Sequence, residues 1–131
     1  MYIRVLLADD QPTIRQGLRL RLGLEPDIDV VGEASDGNDA VALATHLRPD
    51  VVIMDIAMPI LDGIDATREL RTHAPSSAVV ILSLHDDAAT RNRARLAGAA
   101  AFVAKHEADH SLLEAIRGAA AIGTHHGGQS P

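Results

Sequence analysis

Asp50-Val51-Val52-Ile53-Met54-Asp55 is apolar on both parities and closes on a carboxylate. A short run of this kind reads as a central strand covered on both faces, which occurs in parallel sheets whose crossover helices lie above and below. The flanking sequence supplies those helices. Upstream, the turn Ser35-Asp36-Gly37-Asn38 leads into a helical pattern through Val41, Ala44 and Leu47, stopped at Arg48-Pro49. Downstream, Met58-Pro59 and the Asp62-Gly63 turn precede Ile64, Thr67, Leu70 and Arg71, a third helix closed before Pro75.

The same alternation fills the chain. Ile3-Arg4-Val5-Leu6-Leu7-Ala8 is a first strand ending at Asp9-Asp10. Pro12 then opens a helix of about three turns, with Ile14, Leu18, Leu20, Leu22 and Leu24 set over Arg15, Arg19 and Arg21, broken at Pro26-Asp27. Residues 28–34 form a second strand, and 78–84 a fourth buried strand containing Ser83. An Ala- and Arg-rich helix over about 86–97 stops at Gly98, and a fifth strand from Ala100 reaches Lys105. Ser111-Leu112-Leu113-Glu114 fits a capping box for a fifth helix running to about Ile122, with Asp109 an equally suitable cap. Residues 123–131, Gly123-Thr124-His125-His126-Gly127-Gly128-Gln129-Ser130-Pro131, read as a frayed glycine-rich tail or the start of a linker. The pattern therefore predicts an α/β domain with a parallel sheet over residues 1–122, followed by that tail.

With 131 residues, 47% hydrophobic and 23% charged, the chain has the size of one globular domain and excludes a multidomain enzyme. Tyr2 and Phe102 are its only aromatic residues, so Leu, Ile, Val and Ala must build the core. Twelve basic against eighteen acidic residues leave a formal charge of −6, which opposes sequence-independent binding to a phosphate backbone. No direct nucleic-acid binding by this chain is expected. The absence of cysteine excludes disulfides and thiolate metal sites. No apolar run reaches the ~18 residues of a membrane span, and no basic signal-peptide start is present, so no membrane association is expected and cytoplasmic is the default location.

In an open parallel sheet, ligands bind beyond the carboxyl ends of the strands. The predicted ends carry Asp9-Asp10, Asp55, Ser83 and Lys105. Clustered carboxylates resist joint ionisation unless a cation compensates them, and oxygen ligands suit a hard ion such as Mg2+. The lack of His or Cys at these ends argues against zinc or copper. A lysine and a hydroxyl facing the carboxylates suit a phosphoryl group, and aspartate is a known nucleophile in aspartyl-phosphate chemistry. Asp55, central and alone at its strand end, is the best acceptor candidate.

Simpler roles compete at each position. Asp10 and Asp36 taken singly suit helix caps, Ser83 a turn, and Lys105 a solvated surface. Arg91, Arg93 and Arg95 read first as a solvated helix face and second as a docking patch. His106 and His110 have the spacing of a metal pair but lack an evident third ligand, and Met54 and Met58 read as packing residues. No G-x-x-x-x-G-K-[ST] or G-x-G-x-x-G occurs, which weakens a nucleotide-binding reading.

Taken in order, Val5-Leu6-Leu7-Ala8-Asp9-Asp10, Pro49 through Asp55 to Pro59 with Asp62-Gly63, Val80-Ile81-Leu82-Ser83, and Ala97-Gly98-Ala99 leading to Phe102 and Lys105 resemble the receiver domain of bacterial two-component response regulators. The resemblance covers residues 3–122. It implies a flavodoxin-like doubly wound parallel sheet of five strands and five helices, in the order 2-1-3-4-5; a chemotaxis member of the family is a standard example of this order. It also implies that Asp55 accepts a phosphoryl group from a sensor histidine kinase, the chain itself being a switch rather than an enzyme. Mg2+, with Mn2+ the substitute, would be held by Asp10 or Asp9, by Asp55 and by the backbone carbonyl of Ala57, Asp10 being favoured as the direct ligand. Lys105 and Ser83 would contact the phosphoryl oxygens, and Phe102 would occupy the aromatic switch position. Ala57 and His85 stand at positions that tune phosphoryl lifetime in the family. The Ala97-Gly98-Ala99 and Leu112-Leu113-Glu114-Ala115-Ile116-Arg117 segments resemble nitrate-response and nitrogen-fixation regulators, whose members usually carry a LuxR-type helix-turn-helix. Partners implied are thus a kinase, an output domain and a receiver homodimer formed on phosphorylation. The rival reading is a small Mg-dependent aspartyl-phosphate phosphatase or phosphotransferase acting on an external substrate.

Overall fold

A computed structural model describes residues 2–129. Five strands, β1 (Ile3–Ala8), β2 (Ile28–Ala34), β3 (Val51–Met54), β4 (Ala78–Ser83) and β5 (Ala101–Ala104), alternate with helices α1 (Pro12–Leu22), α2 (Gly37–Leu47), α3 (Gly63–His73), α4 (Ala88–Ala97) and α5 (Ala108–Gln129). All neighbouring strands pair in parallel, in the order β2-β1-β3-β4-β5. The fold is the doubly wound sheet that the sequence predicts.

Alternation along each strand sorts the core into two layers. Val5, Leu7, Val51, Ile53, Val80 and Leu82 face Leu22 of α1 and Leu112, Leu113 and Ile116 of α5. Leu6, Ala8, Val52, Met54, Val79 and Ile81 face Ala40 and Ala44 of α2, Ala66 and Leu70 of α3 and Ala94 of α4. Full burial of a large aliphatic side chain is worth about 1.5–3 kcal/mol, so the central strands anchor both layers. The apolarity of β3 on both parities has this cause.

Register positions the functional rim. Ala8 pairs with Met54, Met54 with Ile81, and Ser83 with Ala104. Asp9, Asp55 and Lys105 each stand one residue beyond a paired strand end, and Ser83 closes β4 beside Lys105. Asp36, Asp62 and Asp87 cap α2, α3 and α4 by accepting from the backbone N–H groups of Asp39, Asp65 and Thr90. For Asp36, the helix-cap reading therefore holds. Asp10 does not cap α1, whose leading residue is Gln11 with no side-chain cap bond.

Four boundaries differ from expectation. Helix α1 ends at Leu22, ahead of the Pro26-Asp27 break, because Gly23 already closes it with backbone bonds to the Arg19 and Arg21 carbonyls. Lys105 lies in a 3-10 turn, Lys105–Glu107, rather than in β5, because the pairing of β4 runs out at Ser83. That turn passes directly into α5 at Ala108, so the helix starts ahead of both proposed caps, Asp109 and Ser111. The α5 backbone also continues past Ile122 to Gln129, over most of the glycine-rich stretch expected to fray. With no proline between Gly123 and Gln129, each added residue still gains one helical bond, which offsets the poor propensity of glycine. Residues 130 and 131 of the expected tail lie outside the described residues. Among the described residues, no helix is long and apolar enough to cross a membrane.

Candidate functional site

Beyond the strand ends, oxygens of Asp9, Asp10 and Asp55 all lie within 4.8 Å of one another. Asp9 and Asp55 are 3% and 7% exposed, whereas Asp10 is open to solvent. Lys105 Nζ donates to Asp9 Oδ2 at 3.2 Å and stands 3.6 Å from Asp55 Oδ1. The ammonium thus lies against the two buried carboxylates, which is the compensation that joint burial requires.

Backbone amides fix the acids. Asp55 Oδ1 accepts from its neighbour Ile56 N–H at 2.9 Å, and Asp9 Oδ1 accepts from Gln11 N–H at 2.9 Å. Burial nevertheless pushes the Asp55 carboxyl above its ordinary range, with the Asp9 charge adding to the rise and Lys105 opposing it. The site is short of positive charge.

A depression of about 150 Å3 opens above these groups, lined by Asp10, Gln11, Asp55, Ala57, Leu84, His85 and Lys105. Ser83, which ends β4 just before Leu84, is buried, and its Oγ accepts from His85 N–H at 3.1 Å, so the hydroxyl is engaged within its own loop. Phe102 is not in this depression. Its half-buried ring packs on the α2–α4 side of the sheet, with the Arg91 guanidinium carbon 4.6 Å from the ring centroid.

The floor depends on one close backbone approach. A Cβ on Gly63 would collide with the main-chain carbonyl of Asp55, so glycine lets the start of α3 press against the Asp55–Ile56 segment. Thr67 Oγ donates to the Gly63 carbonyl at 2.6 Å and holds that turn.

Asp9, Asp10, Asp55, Ser83, Lys105 and Ala57 are thus gathered at one rim. His106 and His110 do not form a pair: His106 Nε2 lies 3.8 Å from Glu107 and 4.0 Å from Asp86, while His110 Nε2 contacts Glu114 at 3.0 Å. The 3-10 turn separates their helical phases. Gln11 and Leu84 line the depression without having been singled out from sequence; their positions directly after two strand-end residues are the available signal. The Arg91–Phe102 contact has no such signal, since it joins α4 to β5 through side-chain direction.

A family model described as the response regulator receiver domain matches residues 5–117. The chain belongs to this family. The transcriptional regulatory protein YxjL of Bacillus subtilis, itself described as uncharacterized, is 41% identical over 118 residues, which are 90% of this chain and 54% of that protein. The response regulator domain of Thermotoga maritima CheB superposes with a TM-score of 0.86 at 37% identity, covering 92% of this chain and 97% of that one. The signal receiver domain of the putative response regulator NarL from Mycobacterium tuberculosis gives 0.80 at 34% identity, covering 89% and 98%. The receiver chain spans about half the length of the curated transcriptional regulators it matches. Membership favours the signalling receiver over a phosphatase or phosphotransferase with an external substrate.

The donor set suits the ion associated with the family: three convergent carboxylates, one with its acidity weakened by burial, and oxygen donors only.

Proposed function

We propose that Asp55 is the phosphoacceptor of this receiver and that its phosphorylation throws a conformational switch. The observation that carries the reading is the placement of the buried Asp55 carboxylate beside both the Asp9–Asp10 pair and the Lys105 ammonium, lining an open depression. A carboxylate oxygen of Asp55 attacks the phosphorus of a phosphohistidine on a sensor kinase. The P–N bond breaks, and the leaving imidazole keeps the electron pair and takes up a proton. Asp10, with Asp9, Asp55 and the Ala57 carbonyl, would hold Mg2+, or Mn2+ in its place, and the bound ion would neutralise charge on the transferring oxygens. Lys105 exchanges its contact with Asp55 for one with a phosphoryl oxygen. Ser83 leaves its His85 bond to donate to another, and the loop after β4 moves with it.

The chain acts as an acceptor that assists its own phosphorylation and dephosphorylation, not as an enzyme on an external substrate. In a longer parent protein, residues 123–131 lead from the receiver at 1–122 toward an output domain, and the reading includes a cytoplasmic transcriptional regulator that pairs through its receivers on phosphorylation. Similarity to transcriptional regulatory proteins supports that output. DNA contact belongs to the output domain rather than to this acidic chain.

Incubation with Mg2+ and acetyl phosphate, followed by intact-mass measurement, tests the acceptor. One phosphoryl group should appear on the wild type and be lost in Asp55→Asn and on chelation of Mg2+. No adduct on the wild type, or an undiminished one on Asp55→Asn, overturns the proposal.

A further inference from the structure

The side chain of Arg91 makes two contacts that join otherwise separate parts of the switch region. Its guanidinium carbon sits 4.6 Å from the centroid of the Phe102 ring on β5, within the range of a cation–π contact. Its Nε donates to the main-chain carbonyl of Asp86 at 3.1 Å. Asp86 lies in the loop that leaves Ser83, ahead of the Asp87 cap of α4. One planar side chain therefore holds both the aromatic ring and the segment that must move when Ser83 changes partner.

The ring has space beside it. Arg91, Ala94, Arg95, Ala99 and Phe102 line a cavity of about 240 Å3 under α4. Alanine side chains make much of its wall, together with Arg91 and Arg95, which leaves open space beside the ring. The Arg91 guanidinium covers one face of the ring, which otherwise packs against the core. Ser83 Oγ meanwhile accepts from His85 N–H at 3.1 Å, which ties the same loop in the arrangement seen here.

We propose that Arg91 is a positioning residue that restrains the Ser83 loop and the Phe102 ring together in the unphosphorylated arrangement, and so sets how strongly the domain resists switching. This rests on the phosphoacceptor reading of Asp55. A contact made in one of two arrangements and weakened in the other shifts their populations by its differential strength, and a ligand that selects the second arrangement binds more tightly once the contact is gone. A guanidinium suits the task better than an ammonium, because it stacks on the ring face and still offers an in-plane N–H to the carbonyl.

Titration of the full chain with beryllofluoride at saturating Mg2+, followed by amide chemical shifts, tests the restraint. Arg91→Ala should bind beryllofluoride about fivefold more tightly than wild type, the loss expected for an exposed cation–π contact and one hydrogen bond. In free Arg91→Ala, the amide shifts of Ser83 and Phe102 should already be displaced along the line joining free and bound wild type, with Arg91→Lys in between. The gain should shrink in a Phe102→Leu background, where the ring face is absent. Unchanged or weaker affinity in Arg91→Ala, shifts off that line, or an equal gain without the ring would overturn the inference. Failure of the parent reading looks different: wild type would then bind no beryllofluoride and form no adduct with acetyl phosphate, and the restraint would fall with it.

Discussion

The Lys105 ammonium reaches to within 3.6 Å of the Asp55 carboxylate across the end of the intervening strand β4. Parallel register makes this reach short, because Met54 pairs with Ile81 and Ser83 with Ala104, leaving both residues just past the ladder. Lys105 also donates to Asp9 at 3.2 Å, so one cation serves two buried carboxylates. Lys105→Met removes the charge at nearly constant volume. Unfolding in urea at pH 7 without Mg2+ should show a loss of about 1–3 kcal/mol, the lower part of the range for an orphaned buried charge because the site opens to water at Asp10. Mg2+ should bind the variant about three- to tenfold more tightly, since a competing positive charge is gone. A stability loss with no gain in Mg2+ affinity would contradict a shared electrostatic site.

Asp55 makes a pH signature of its own. Burial raises its pKa above the ordinary value of 3.8. Between that value and the raised one, the folded state binds the proton more tightly than the unfolded state, so stability falls as pH rises through the window. Above it, the ionised carboxylate carries its full cost. Asp55→Asn should therefore be more stable than wild type at pH 7, with the difference shrinking as pH falls toward 3.8. Glu33, whose pKa is lowered first by its bond from Arg19, acts oppositely, since its contribution is lost as pH falls. Comparing urea midpoints of wild type and Asp55→Asn across pH cancels that background, and a gap that widens on acidification would refute the assignment.

The strands and their faces were legible because period-two alternation and β3's apolarity on both parities follow directly from burial against helices on each side. The rim acids followed from the rule that ligands meet the carboxyl ends of parallel strands. Which of the two adjacent acids is buried was not legible: Asp9 turns inward toward Gln11 N–H and Lys105, and Asp10 outward, a choice made by the local turn. The start of α5 was not legible because a 3-10 turn, Lys105–Glu107, leads straight into it ahead of the capping pattern at Asp109 and Ser111. His106 and His110 matched a spacing rule that holds only within one helix, and the 3-10 turn breaks their phase.

Ile60 occupies the left-handed region at φ 73° with its side chain 78% exposed. A β-branched residue is strained there, by roughly 1–2 kcal/mol. Ile60→Gly should raise stability by about 0.5–1 kcal/mol, the relief exceeding the entropy that glycine adds to the unfolded chain. Ile60→Asn should gain less than Ile60→Gly, because the Leu61 N–H to Pro59 carbonyl bond makes Ile60 the centre of a γ-turn that only glycine adopts freely. The check is a higher urea midpoint at unchanged slope. A lowered midpoint in both variants would mean that the exposed isoleucine makes a stabilising contact outweighing its backbone cost.

Gly63 gives the sharpest separation of fold from site. A Cβ there would strike the Asp55 carbonyl, and the Gly63 N–H also donates to the Ile56 carbonyl at 2.9 Å. Neither partner is a flexible side chain, so Gly63→Ala must move the start of α3 or the Asp55–Ile56 segment itself. The expected cost is about 1–3 kcal/mol, with slower phosphorylation by acetyl phosphate under native conditions. Gly118→Ala provides the contrast, because its added methyl meets nothing within 4 Å. Helix propensity then dominates, and stability should rise by about 0.5–1 kcal/mol with the phosphorylation rate unchanged. Equal behaviour of the two variants in urea unfolding would show that the close approach at Asp55 does not constrain the loop after β3.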